Sequence, residues 1–204
     1  MTEAREVIGP VPSGRDPDTY DRVRRRVLWS LPTGLYVVGT CAGTQRNLMT
    51  ISWVTQVAMR PKLVGIGVES DAVTHRLLTD GMVFALSLLP RTERALVRRF
   101  AKPVTDAEVD EDTGAGTMQG QAVHAATTGA PILDVASAWL DCEVRHVLRL
   151  GSHSLFVGEV VDCDVAPDDG RAEPGSEHNG KSNPADPHHL EVLRVEDTRM
   201  NYGG

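Results

Sequence analysis

Apolar residues recur along this chain in two rhythms. Tyr20, Val23, Val27 and Leu31 fall at helical spacing and Pro32 ends the run, so a helix is expected from Thr19. After Gly34 the rhythm tightens. Leu35 to Cys41 is rich in β-branched residues, Ala42 to Arg46 reads as a turn, and Asn47 to Val57 reads as the antiparallel return strand. Pro61 punctuates, and Leu63 to Val68 forms a third strand whose Gly65 and Gly67 let another backbone or a ring come close. Asp71 is placed to cap a short helix through Leu77 and Leu78 that Gly81 closes.

Met82 to Leu89 is nearly all apolar and predicts a strand covered on both faces, with a basic helix over Glu93 to Phe100 behind it. Lys102 to Gly129 is rich in Gly, Thr and Asp and reads as a long excursion. Trp139 to Leu150 and Ser154 to Val165 form a last long hairpin, turning at Leu150-Gly151-Ser152-His153. Ala166 to Pro187 holds almost nothing apolar and is expected to be a mobile loop, after which Leu190, Val192, Leu193 and Val195 resume structure. Residues 1–18 read as a tail and 19–204 as a single domain, with the loop at about 166–187. Short strands at close spacing with inserted rather than alternating helices predict a mainly β fold, a closed antiparallel barrel rather than a βαβ sheet.

Composition narrows the partners. With 204 residues, 41% hydrophobic and 24% charged, the chain can bury a core. A net charge of −7 argues against nucleic acid or an anionic membrane as the main partner. Arg22, Arg24, Arg25 and Arg26 cluster, but among Val23, Val27 and Leu28, as on a solvated helix face. Cys41, Cys142 and Cys163 form no CxxC pair and suit free thiols in a reducing cytoplasm. Met1 to Asp18 lacks the apolar core of an export signal, and no apolar run reaches membrane-spanning length.

Three stretches could carry chemistry. In Asn47 to Gln56, strand alternation sets Asn47, Met49, Ile51, Trp53 and Thr55 on one face and Leu48, Thr50, Ser52 and Val54 on the other. This is either a strand with one wet edge or a flat indole beside short hydrogen-bonding groups. The second arrangement is what a large apolar plate with one polar edge, such as a flavin, requires. In Glu69-Ser70-Asp71-Ala72-Val73-Thr74-His75 a strand gives way to a helix whose first turn holds hydroxyls, a setting suited to phosphate. Alternatively Asp71 caps the helix alone, and its charge repels a phosphate unless it points away. Gly151-Ser152-His153 places a histidine at a hairpin turn, where a surface role is the plainer reading. No metal site is expected: His178, His188 and His189 fall in or beside the acidic loop with no cysteine at zinc spacing. GxSxG, P-loop and GxGxxG motifs are absent, which removes the main support for hydrolase, NTPase and Rossmann readings.

Several separated motifs agree with one family. Leu31-Pro32-Thr33-Gly34, Asn47-Leu48-Met49-Thr50-Ile51-Ser52-Trp53, Thr74-His75, Gly129-Ala130-Pro131-Ile132-Leu133 running to Leu140-Asp141-Cys142, and Gly151 through Val160 resemble the flavin-reductase-like, FMN-binding split-barrel family that includes flavoredoxin. The match runs in order over roughly residues 19 to 165. The resemblance implies a split, antiparallel, Greek-key-like β-barrel with FMN held noncovalently near a homodimer interface and NADH or NADPH as hydride donor. By position, Asn47 and Trp53 match residues that line the flavin, and Met49, Thr50, Ser52 and Thr55 lie on the strand facing it. Ser70, Thr74 and His75 match the phosphate-side turn, Lys102 supplies charge near it, and Tyr202 closes over the site. His153 matches the histidine of the family's Gly-Asp-His and is the catalytic candidate, although Ser152 stands here in place of the aspartate. The activity implied is NAD(P)H:flavin oxidoreduction, feeding a monooxygenase or another redox partner. The alternatives are an FMN electron carrier reduced by a protein partner, and a cofactor-free interaction module.

Overall fold

The computed structural model describes residues 9–166 and 192–198. The first helix, α1 (Pro17–Trp29), begins two residues before the expected start because Asp16 caps it. Asp16 Oδ2 accepts from the Thr19 N–H at 2.9 Å, and Pro17 sits where a missing N–H costs nothing.

Seven strands follow the expected order but not every expected boundary. These are β1 (Tyr36–Ala42), β2 (Gln45–Ile51), β3 (Val54–Met59), β4 (Lys62–Glu69), β5 (Val83–Leu88), β10 (Ala138–Leu150) and β11 (His153–Val165). They form one antiparallel sheet in the order β2-β1-β5-β10-β11-β4-β3. The return strand expected over Asn47 to Val57 is therefore two strands. Its first half pairs with β1 and its second with β4, on opposite edges of the sheet, and Ser52-Trp53 is the corner between them. The expected closure is corrected by the same fact: among the described strands β2 and β3 do not pair, so the barrel is split at this seam.

The β2 edge is occupied instead by the segment after β5. The Thr50 N–H donates to the Phe100 carbonyl at 3.0 Å and Thr50 Oγ1 to the Val97 carbonyl at 2.7 Å. That contact helps explain why the helix expected over Glu93 to Phe100 shrinks to a 3₁₀ turn at Arg91–Glu93 and one turn of α3 (Leu96–Arg99). Between β4 and β5 lies α2 (Val73–Gly81), preceded by Ala72; Asp71 makes no capping bond, contrary to expectation. Met82, at φ 55°, takes the left-handed closing position expected of glycine, while Gly81 is needed for another reason. A Cβ there would lie 1.8 Å from the Cys41 carbonyl oxygen.

The expected excursion after Lys102 is a second sheet of short strands, β6 (Ala107–Val109), β7 (Gly116–Met118), β8 (Gln121–Ala125) and β9 (Pro131–Leu133), in that order. It supplies the second cover that the apolar β5 demands. Phe84 and Leu86 face the core cluster with Val38, Ile66 and Phe156, while Ala85 packs on Ala130 and Ile132. Ser87 Oγ accepts from the Leu133 N–H at 3.0 Å. Leu193, fully buried, completes the neighbouring cluster, with Arg194 bridged to Gly34 and Val192 to Pro90. No described helix is long and apolar enough to cross a membrane.

Candidate functional site

The corner at Ser52-Trp53 opens a cleft of about 470 Å³ between the β3–β4 edge and the tip of the β10–β11 hairpin. Ser52, Trp53 and Thr55 line one side, Gly65 and Gly67 the floor, and Leu150, Ser152, His153, Ser154 and Leu155 the other side, with Thr33 beside them. Trp53 is held by its backbone, whose carbonyl accepts from the Gly67 N–H at 2.9 Å, and its indole lies against Gly67. A Cβ on Gly67 would approach Trp53 Cε3 to 3.0 Å, so glycine makes the room.

His153 faces Trp53 with ring centroids 4.5 Å apart and planes tilted by 41°. Its Nδ1 lies 2.9 Å from Ser152 Oγ, and the Ser152 carbonyl accepts from the Ser70 N–H at 2.9 Å, which ties the hairpin tip to the end of β4. Among the described lining residues His153 is the one histidine, and none is a carboxylate, lysine or arginine.

One layer behind the cleft lies a buried polar network. Asn47 Nδ2 donates to Thr74 Oγ1 at 2.8 Å, and Asn47 Oδ1 accepts from the Val104 N–H at 2.9 Å. Both side chains are therefore engaged inside the protein, joining β2, α2 and the segment after α3. Next to Thr74, His75 sets Nε2 2.9 Å from Ser154 Oγ and turns its ring edge to Phe156. Ser154 is buried and borders the cleft, so His75 braces the cleft wall from behind.

The residues singled out from sequence thus fall into groups. Ser52, Trp53, Thr55 and His153 meet at the cleft. Asn47, Thr50 and Thr74 are buried in hydrogen bonds away from its lining, and Met49 packs against the core. Asn47 and Trp53 were expected on one strand face, yet Asn47 is 3% exposed and Trp53 43%, because the strand turns the corner between them. Ser70 is exposed at the hairpin contact, Lys102 is exposed beyond α3, and Tyr202 lies outside the described residues, as does most of the expected loop. Thr33, Leu150 and Leu155 were not singled out; Thr33 and Leu155 lie inside motifs that carry the family resemblance, while Leu150, at the start of the expected hairpin turn, carries no signal beyond strand hydrophobicity.

A flavin needs an apolar slot for its tricyclic plate and hydrogen-bonding groups along one edge. An indole, an imidazole, two glycines and the hydroxyls of Ser52 and Thr55 supply that mixture, and the residues fit.

The flavin reductase-like domain family matches over residues 28–185. The chain belongs to this family. It is 35% identical over 156 residues to the NADH-dependent FAD reductase of Streptomyces globisporus, covering 76% of this chain and 81% of that protein. The solved Streptomyces globisporus NADH:FAD oxidoreductase in complex with NAD and FAD fragments superposes with a TM-score of 0.58 at 31% identity, covering 75% of this chain and 86% of that one. The flavin reductase of the styrene monooxygenase from Pseudomonas putida S12 gives a TM-score of 0.57 at 26% identity, covering 71% and 87%. The chain spans only 22–24% of the Nostoc diflavin flavoproteins that it also matches. In this flavin reductase-like chain, the corner residues and the hairpin tip build a concave surface of ligand size.

Proposed function

We propose that this protein is a cytoplasmic NAD(P)H:flavin oxidoreductase that holds FMN in the Trp53–His153 cleft and takes hydride from NADH or NADPH. The observation that carries the reading is the cleft itself, an indole and an imidazole facing across hydroxyls and glycines in a flavin reductase-like chain. The similarity to an NADH-dependent FAD reductase supports the nicotinamide donor. FMN is the flavin the motifs suggest; FAD offers the same ring to the cleft, so relative affinity decides between them.

A flavin held in the cleft would supply the redox chemistry as the hydride acceptor. The protein's share is orientation and electrostatics. Trp53 gives the ring a flat apolar wall. Ser52 and Thr55 offer hydroxyls to the edge where negative charge collects on reduction, a role that gains strength in a water-poor cleft. His153 sits on the opposite lip, where it orients the nicotinamide or donates a hydrogen bond as charge develops. Ser70 and Lys102 serve the phosphate end. Asn47, Thr74 and His75 hold the walls in place from behind the cleft, and Thr50 ties the β2 edge to the segment after β5.

The working unit is a homodimer. No residue of α1 is buried, and the helix exposes Val23, Val27 and Leu28, with Leu31 just beyond it. A thirteen-residue helix is marginal without a packed face, and a second copy provides one. Three free thiols agree with a reducing compartment. Reduced flavin passes to a monooxygenase-type partner, as the name of the styrene monooxygenase reductase suggests.

The test is oxidation of NADH or NADPH by the purified protein with FMN, FAD or riboflavin. Turnover with FMN, at lower KM than with riboflavin, is expected. No oxidation with any pairing rejects the reductase reading and leaves the electron carrier.

A further inference from the structure

His153 enters the cleft from a hairpin tip, where a side chain ordinarily turns freely. Here it is held on several sides. Ser152 Oγ lies 2.9 Å from Nδ1, the Trp53 ring lies against the imidazole at 4.5 Å, and β11 pairs His153 with Glu69 of β4. The Ser152 carbonyl takes the Ser70 N–H, so the same residue anchors both the tip's backbone and the ring it presents.

A hydroxyl at this place differs from a carboxylate in two respects. It carries no charge and gives an imidazolium no ion-pair support. It also donates as well as accepts, so it can bond an Nδ1 that bears no hydrogen and leave the hydrogen on Nε2. Charged and titratable groups at the near ends of the neighbouring elements include Glu69 on β4, Asp71 and His75 around the start of α2, Arg149 on β10, and Arg194, bridged to Gly34 beside Thr33. Among the described residues none of these forms an ion pair with His153, and His75 is engaged by Ser154.

We propose that Ser152 is the positioning residue for His153: its hydroxyl donates to Nδ1, so that the ring faces the nicotinamide and flavin with its hydrogen on Nε2. The kinetic part of this proposal rests on the reductase reading above. One hydride moves from nicotinamide to flavin, so electrons and charge balance without a proton from His153, which need only give a hydrogen bond.

The experiment compares the full-length wild type with Ser152→Ala, Ser152→Thr and Ser152→Asp, using His153→Ala to assign the His153 signals. Nitrogen NMR of the imidazole reports the tautomer without need of turnover, and kcat and KM report function. Ser152→Ala is expected to mix the two tautomers and lower kcat about three- to tenfold, the scale of one hydrogen bond, with little change in KM. Ser152→Thr restores both. Ser152→Asp offers Nδ1 only acceptor atoms, so it moves the hydrogen to Nδ1, changes the nitrogen shifts and lowers kcat. Nitrogen shifts equal in all four proteins overturn the proposal. Tautomer changes with an unaltered kcat overturn its kinetic part. A wild type that oxidises neither nicotinamide overturns the reductase reading instead, and the nitrogen shifts still decide whether Ser152 holds the ring.

Discussion

Cys41, Cys142 and Cys163 carry the same thiol into three environments. Cys142 is fully buried, and desolvation first, with Asp141 and Cys163 nearby, pushes its pKa up to about 12. Burial also raises Cys41, while Cys163 is exposed on β11. The thiolate is the reactive form. Under mildly alkaline conditions a thiol reagent should therefore modify Cys163 first, Cys41 slowly and Cys142 only on unfolding, as peptide mass spectrometry over time would show. Labelling of Cys142 in step with Cys163 would contradict this. Asp141, beside Cys142, is fully buried and accepts from the Thr128 N–H at 2.7 Å and from the Thr128 hydroxyl. Desolvation nevertheless raises its pKa above the ordinary 3.8. The folded state then binds that proton more tightly than the unfolded chain does, so this group's contribution to stability declines as pH rises from about 3.8 through its raised folded value. Asp141→Asn should abolish that decline. In urea titrations across pH, the stability of the variant relative to wild type is expected to climb through this window and then level off; a flat difference would show that Asp141 does not titrate differently on folding.

At the scale of elements, contacts between segments override local pattern. The hairpin of β10 and β11 was legible because long apolar runs meet at Gly151, whose φ of 68° suits glycine. The corner at Ser52-Trp53 was not legible, since no glycine or proline marks it and both halves read as strand. Its position follows from β1 and β4 each claiming one half. The small sheet escaped detection because three of its four strands have only three residues, too few to show a period. Its docking on β1 depends on Gly39, where a Cβ would sit 1.9 Å from the Pro131 carbonyl oxygen. Gly39→Ala should cost about 1–3 kcal/mol by overpacking and loosen β9, measurable as a lower urea midpoint and faster amide exchange at Ile132 and Leu133. Gly43→Ala has open space around its Cβ, and only the positive φ of 58° opposes it, so it should leave exchange at β9 unchanged. Equal exchange at β9 in Gly39→Ala and wild type would contradict the docking.

For the whole molecule, the exposed face of α1 leads to a test of assembly. Val27 and Leu28 are 61% and 56% exposed, and burying each against a second copy contributes about 1.5–3 kcal/mol. The double substitution Val27→Asp and Leu28→Asp should weaken the dimer at least a hundredfold, roughly 2.7 kcal/mol, and light scattering should report a monomer. A wild type that is monomeric while holding flavin would remove the dimer from the proposal.

What the sequence by itself determined is the material of the site and the order of the large elements. The strand-rich pattern, the apolar β5, the final hairpin and the residues Ser52, Trp53, Thr55 and His153 were all present as local signals, because side-chain chemistry and short-range periodicity are properties of a few consecutive residues. The tertiary structure alone decided which of those residues meet. It split one apparent strand between two sheet edges and drew Asn47 and Thr74 into a buried network. It also brought the hairpin tip to within a ring's width of Trp53. The last of these joins Trp53 and His153, a hundred residues apart, and Asn47 reaches Thr74 across 27; partners at such separations leave no trace in the local pattern of apolar and polar positions.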